Sequence, residues 1–240
     1  MPVGDELLAR NRLLAGIDEQ ARRRVAELGR HEPLELKQTL FEQGAPIDEV
    51  TFPLTGVCSL LSMMEDGRSV EIATVGNEGF VGLPVFLQAT FTSAHRGIVQ
   101  IPGEAITVDA RAFLELSNSG GTFQAVLQRY AQALITQIAQ GAACNRLHTV
   151  EQRCAKWLLQ THDRVDGDAF ELTQEFLGMM LGVGRQSVNE AATSLQQAGL
   201  MRYGRGVITV LDRRGLEEAS CECYGVVRTE FDRLLPPPRS

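Results

Sequence analysis

The segment Leu172 to Leu200, LTQEFLGMMLGVGRQSVNEAATSLQQAGL, constrains the fold more than any other part of the chain. Its spacing is that of two short helices around a tight turn. Thr173 is placed to cap the first helix with its hydroxyl, and Glu175 sits in the first turn, where a negative charge meets the positive helix end. Phe176, Leu177, Met180 and Leu181 form its apolar face. Gly182 stops the helix, because a residue without a Cβ takes the left-handed backbone of a sharp turn, and Val183 drops between the helices. The second helix starts at Arg185 and turns Val188, Ala191, Ala192 and Leu195 inward. Arg185, Gln186, Ser187 and Asn189 crowd its outward N-terminal end, where a recognition helix presents side chains to base edges in the major groove. The plainer reading is a helical hairpin with a polar surface. The turn glycine, the small inter-helix residues and the polar N-terminal face, all in one window, weigh against it.

The next segment fits a wing. Met201 to Gly204 and the alternating Val207 to Leu211 flank a Gly-Arg-Gly tip, which places Arg202 and Arg205 beside phosphates. Between Thr173 and Gly215, five arginines (185, 202, 205, 213 and 214) face three acids (Glu175, Glu190 and Asp212), whereas the whole chain carries −7. A locally positive module in an acidic protein suits specific contact with double-stranded DNA better than general coating of nucleic acid.

The 240 residues, 44% hydrophobic, suffice for two modest domains. Neither a membrane-spanning apolar stretch nor the basic-then-apolar pattern of a signal peptide is found, so the expectation is a cytoplasmic protein with no membrane partner. The five cysteines (58, 144, 154, 221 and 223) are odd in number and scattered, which argues against a disulfide framework. The Pro-rich end, Pro236 to Ser240, reads as a frayed tail.

Glu6 to Arg30 has the pattern of one charged amphipathic helical segment. From His31 the period changes. Short runs at Thr39 to Phe41, Glu49 to Leu54, Val57 to Met63, Ser69 to Val75, Gly97 to Ile101 and Ala105 to Val108 alternate with turn signals such as Asp66-Gly67. They predict a jelly-roll-like β-roll. A long helix comes next, from about Thr122 to Leu147, in which Phe123, Leu127, Tyr130 and Leu134 recur at four-three spacing, the pattern of a coiled-coil seam and hence of a dimer interface. A helix buried against its own chain is the alternative. A further helix, Val150 to Val165, leads to the DNA-binding unit. The fold class is therefore α+β: a roll sensor at 1–120, a dimerisation helix at 121–148 and a winged helix-turn-helix at 149–240.

This order of elements, together with Thr173-Gln-Glu-x-Leu177, Gly182, Arg185-Gln-Ser-Val188, Gly199-Leu200, Arg153 and Leu158-Leu159, resembles the Crp/Fnr family of transcription regulators. In the roll, Gly56-Val57, Asp66-Gly67-Arg68 and Gly79-Phe80-Val81-Gly82 look like the family's turn sequences. The resemblance implies a homodimer in which an effector in the roll reorients the winged domains, which bind a palindromic operator and engage RNA polymerase.

The chain departs from that pattern where a cyclic nucleotide would sit. Gly82 is followed by Leu83 and Pro84, so the carboxylate that takes the ribose hydroxyl is missing; Ser93 and Ala94 are kept, but Thr92 stands where an arginine would pair with the phosphate. Arg96 is a candidate substitute on the next strand, and Ile138 and Ala139 replace hydroxyls facing the base. With Gly82, Leu83, Ser93 and Arg96 as the candidate effector residues, cyclic AMP is not expected as the ligand, and no cofactor is assigned. Cys58 reads as a core thiol. Cys221 and Cys223, two apart in a helix, are expected to face different ways and to share no metal, and the four histidines (31, 95, 148 and 162) are read as structural or solvent-facing. No catalytic constellation is found, so the chain is not expected to be an enzyme. The alternative function is a ligand-binding regulatory subunit whose helical C-terminal half contacts a protein partner; salt-sensitive binding to duplex DNA separates the two.

Overall fold

A computed structural model describes residues 3–87 and 91–237. The chain opens with α1 (Asp5–Leu8), α2 (Arg12–Ala15) and α3 (Glu19–Leu28), where the hydropathy pattern alone reads as one helical segment. Two caps break it. The Asn11 carboxamide oxygen accepts the N–H groups of Leu13 and Leu14 while its amide donates to the carbonyls of Pro53 and Gly79, both at 2.9 Å, and Asp18 caps α3 by accepting from Ala21.

The roll comprises β1 (Arg30–Leu34), β2 (Thr39–Phe41), β3 (Glu49–Pro53), β4 (Val57–Met63), β5 (Ser69–Val75), the short helix α4 (Leu83–Leu87), β6 (Arg96–Ile101) and β7 (Gly103–Asp109). Two antiparallel sheets result, ordered β1-β7-β3 and β2-β6-β4-β5. Next come α5 (Ala110–Asn118), α6 (Gly121–Leu147), α7 (Val150–His162), β8 (Ala169–Glu171), α8 (Gln174–Leu181), α9 (Arg185–Gln197), β9 (Met201–Gly204), β10 (Val207–Val210), α10 (Arg213–Ala219) and α11 (Cys223–Leu234). The last three strands form the wing sheet β8-β10-β9.

The first core fills the roll interior and the space beneath α5 and α6. A run of rings, Phe52, Phe80, Phe113, Phe123 and Tyr130, lies with neighbouring centroids 5.0 to 6.0 Å apart, and the Tyr130 hydroxyl donates to the Phe80 carbonyl at 3.2 Å. This corrects the expected dimer seam. Phe123, Leu127, Tyr130 and Leu134 are at most 1% exposed within a single chain. Four-three spacing reports that one helix face is buried without saying by what; here the roll and α11 cover it, with Phe231 of α11 edge-on to Tyr130 at 6.4 Å. The C-terminal helix thus returns to the sensor half and places Val227, Phe231 and Leu235 in the first core. Pro236 continues the contact by accepting from the Arg12 guanidinium at 2.9 Å, so the expected fraying does not hold at Pro236; Pro238 to Ser240 lie outside the described residues.

The second core lies on the opposite face of the four-stranded sheet. Val57, Leu61 and Ile98 pack there against Trp157, Leu158, Phe176, Leu177, Met180 and Val188, so β4 and β6 are buried on both faces. That is why Val57 to Leu61 and Gly97 to Ile101 read as nearly continuous apolar runs rather than alternating ones. The expected inward residues of α7, Cys154, Trp157 and Leu158, belong to this core.

Candidate nucleic-acid interface

Local sequence sets the helix-turn-helix. The Thr173 hydroxyl accepts the Phe176 N–H at 3.1 Å and starts α8; Gly182 ends it in the left-handed conformation at φ 64°. A side chain at Gly182 is disfavoured twice, since a Cβ there would also lie 2.8 Å from a methyl of Val70 of β5. Beyond the turn, Gly184 caps α9 with extended backbone, and Val188, Ala191, Ala192 and Leu195 are buried as expected. The small residues bring α9 close to α7 and α8, and Arg153 of α7 donates to the Leu181 carbonyl to hold the end of α8.

The structure brings the expected reading residues to one end. Arg185, Gln186 and Asn189 are exposed on the first turns of α9, Ser187 is half-buried, and Thr173 lies exposed at the start of α8. Two of these side chains are held locally: Gln186 donates to Glu190 at 3.0 Å, and Asn189 accepts from Gln174 at 3.3 Å across the helix pair. In the wing, Arg202 and Arg205 are exposed, and Arg205 itself takes positive φ (53°) together with Gly206 (78°). Two successive positive-φ residues match a two-residue hairpin turn, so Arg205 stands at the tip. Arg213 and Arg214 contribute less to this face than their charge implies. Arg213 is paired with Asp163 at 2.6 Å and bonded to the Tyr224 hydroxyl, and Arg214 pairs with Glu218.

A cleft of about 1100 Å³ runs between the helix-turn-helix and the β4–β5 hairpin of the roll, with Arg185, Thr173 and Tyr203 on one wall and Met64, Arg68 and Val70 on the other. The two halves are also joined by buried polar contacts that sequence reasoning missed. The Trp157 indole donates to Glu71 at 2.9 Å, and Arg164, just beyond α7, pairs with Glu78 at 2.8 Å, each 8% exposed. The available signal was the single Trp and the acids within or beside apolar strands, which need partners when buried.

Of the candidate effector residues, Gly82, Leu83 and Ser93 have local partners and Arg96 lies on the outer face of its sheet. Ser93 is buried and accepts the His95 N–H at 3.0 Å, while Leu83 opens α4 and packs on the first core. Gly82, at φ 117°, lies against Val50. Arg96 faces away from the roll interior: it donates to Thr39 at 2.7 Å, pairs with Glu42 at 3.2 Å, and borders the groove under Phe176 and Met179. Alternation along β6 puts it on the face of Ile98, which belongs to the second core. It therefore cannot replace a phosphate-binding arginine inside the roll.

Residues 31–119 match the cyclic nucleotide-binding domain and residues 152–219 match the Crp-like helix-turn-helix domain. The chain belongs to the Crp/Fnr family of transcription regulators. As a Crp/Fnr regulator it is a DNA-binding protein with a roll of the effector-binding type. It is 26% identical over 216 residues to a CRP-like cAMP-activated global transcriptional regulator of Mycobacterium tuberculosis, covering 85% of this chain and 94% of that protein. Among solved structures, the Crp/Fnr fold is shared with FixK2 from Bradyrhizobium japonicum (TM-score 0.68, 16% identity, 80% of this chain and 98% of that one). It is also shared with a CRP-family regulator from Thermus thermophilus (TM-score 0.64, 16% identity, 79% of this chain and 96% of that one). Among the described residues, no helix is long and apolar enough to cross a membrane.

Proposed function

We propose that the chain acts in the cytoplasm as a homodimer, inserts α9 of each copy into successive major grooves of a palindromic operator, and engages RNA polymerase from there. The observation that carries the reading is the cluster of exposed polar side chains at the start of α9, Arg185, Gln186 and Asn189, together with the exposed Arg205 at the tip of the wing. Dimerisation is assigned to the solvent-facing side of α6. Ile135 is 62% exposed there, next to Leu87 at 58%, and with Phe86, Gln128 and Ala131 they border a surface groove of about 510 Å³. Pairing across a two-fold axis would cover this apolar strip. The effector is inferred to be other than cyclic AMP, despite the activation named for the mycobacterial relative, because Leu83 offers no carboxylate and Arg96 points out of the roll.

Fluorescence anisotropy on selected palindromic duplexes tests the reading. Two chains per duplex, affinity falling steeply with salt, and no response to cyclic AMP are expected. Salt-independent or undetectable duplex binding would instead favour a regulatory subunit acting on a protein partner.

A further inference from the structure

We propose that Cys144, His148, Cys221 and Cys223 form a mononuclear zinc site that fixes the junction between the long helix and the DNA-binding half. The four ligand atoms all lie within 4.8 Å of one another. Cys144 Sγ is 3.5 Å from Cys221 Sγ, and Cys223 Sγ is 3.5 Å from His148 Nδ1. A tetrahedral zinc with Zn–S near 2.3 Å and Zn–N near 2.0 Å requires edges of roughly 3.8 Å between sulfurs and 3.6 Å between sulfur and nitrogen. Closing the cluster therefore needs only small side-chain movements. A two-iron cluster would hold its terminal ligands farther apart across the cluster, so the compactness favours a single ion.

The expectation that Cys221 and Cys223 face different ways and share no metal rested on both lying in one helix. Cys221 precedes α11 in non-helical backbone and Cys223 is the first helical residue, so helical spacing does not separate them. His148 is likewise more than a structural default. It terminates α6, and its Nε2 lies 3.1 Å from a Glu222 carboxylate oxygen while Nδ1 faces the sulfurs. A carboxylate on the far nitrogen orients a metal-bound imidazole and fixes its tautomer. The Gln140 amide also donates to Cys223 Sγ at 3.1 Å, which stabilises a thiolate. All three thiols are buried and form a small cluster of their own. Four protein ligands leave no open position, so the site is structural, not catalytic.

The position gives the ion its role. Cys144 lies in the last turn of α6, His148 is followed at once by the Thr149 cap of α7, and the two other cysteines bracket the start of α11. A bound ion ties the three elements at one point and sets the angle at which α7 leaves the sensor half.

The test uses the full chain, reduced and reconstituted with zinc, then freed of excess ion by gel filtration. About one zinc per chain is expected, falling below about one tenth in Cys223→Ser and His148→Ala. Cys154→Ser, equally buried but outside the cluster, should keep its zinc. Cobalt in the wild-type chain should give thiolate charge-transfer bands and the intense visible bands of a tetrahedral site, a readout that does not depend on any variant folding. Substoichiometric zinc in the reduced wild type, an octahedral cobalt spectrum, a Cys144–Cys221 disulfide as the resting state, or bound iron with sulfide would each overturn the proposal.

Discussion

Arg164 donates to the same oxygen of Glu78 through Nε at 3.0 Å and Nη2 at 2.8 Å, and this buried pair fastens the end of α7 to the turn after β5. Burial alone would raise the Glu78 carboxyl, but the Arg164 charge and its hydrogen bonds, with the Gly76 N–H, hold it below the usual range. The pair therefore contributes stability that is present above the ordinary carboxylate pKa and lost as pH falls through the lowered value. Removing one partner leaves a buried charge uncompensated. Arg164→Ala should cost about 3 to 5 kcal/mol in urea denaturation, and replacing both residues with apolar ones should recover much of it.

Glu71 carries the opposite pH dependence. Enclosure between β5 and α7 pushes its carboxyl up to about 7, against hydrogen bonds from Ser59 and Trp157 that lower it. Ser59 also lies 2.6 Å from the Gln100 amide oxygen, and a protonated Glu71 could donate to Ser59 and free its hydroxyl for Gln100. A raised carboxyl pKa means that docking of α7 on the roll is fully stabilised below the ordinary carboxylate value and weakens as pH rises through about 7. Thermal melts should lose stability between about pH 4.5 and pH 7, by about 2 to 3 kcal/mol, and level off above that range, and Glu71→Gln should flatten the dependence.

Adjacent residues of α6 separate folding from assembly. Leu134 is 1% exposed inside the chain and Ile135 is 62% exposed on the proposed dimer face. Leu134→Glu should destabilise the fold itself by roughly 3 kcal/mol or more, since it buries a charge in place of a packed side chain. Ile135→Glu should leave the melting curve of the chain nearly unchanged and yield monomers in analytical ultracentrifugation.

Much of this architecture is legible in residue spacing because local signals agree with the tertiary outcome. Thr173, Gly182 and the Val188-to-Leu195 stripe specify the helix-turn-helix, and Asp66-Gly67 specifies the β4–β5 hairpin. What remained illegible depends on distant partners. The buried stripe from Phe123 to Leu134 gives no hint that α11, about a hundred residues later, helps to cover it. Arg96 is an equally plausible ligand for either face of its strand until the second core shows which face is outward. Cys144 and Cys221 lie 77 residues apart, and no periodicity relates them.

In the proposed mode of binding, α9 reads bases from its N-terminal end while the wing holds phosphate. A binding-selection experiment on wild type, Arg185→Ala and Arg205→Ala tests it most directly. The account predicts that Arg185→Ala flattens preference at one base position per half-site, by about 1 to 3 kcal/mol, with non-specific binding largely kept. Arg205→Ala should weaken all sequences alike and reduce the salt slope by about one phosphate's share. If Arg185→Ala kept the wild-type base preference at every position, α9 would not be the reading element.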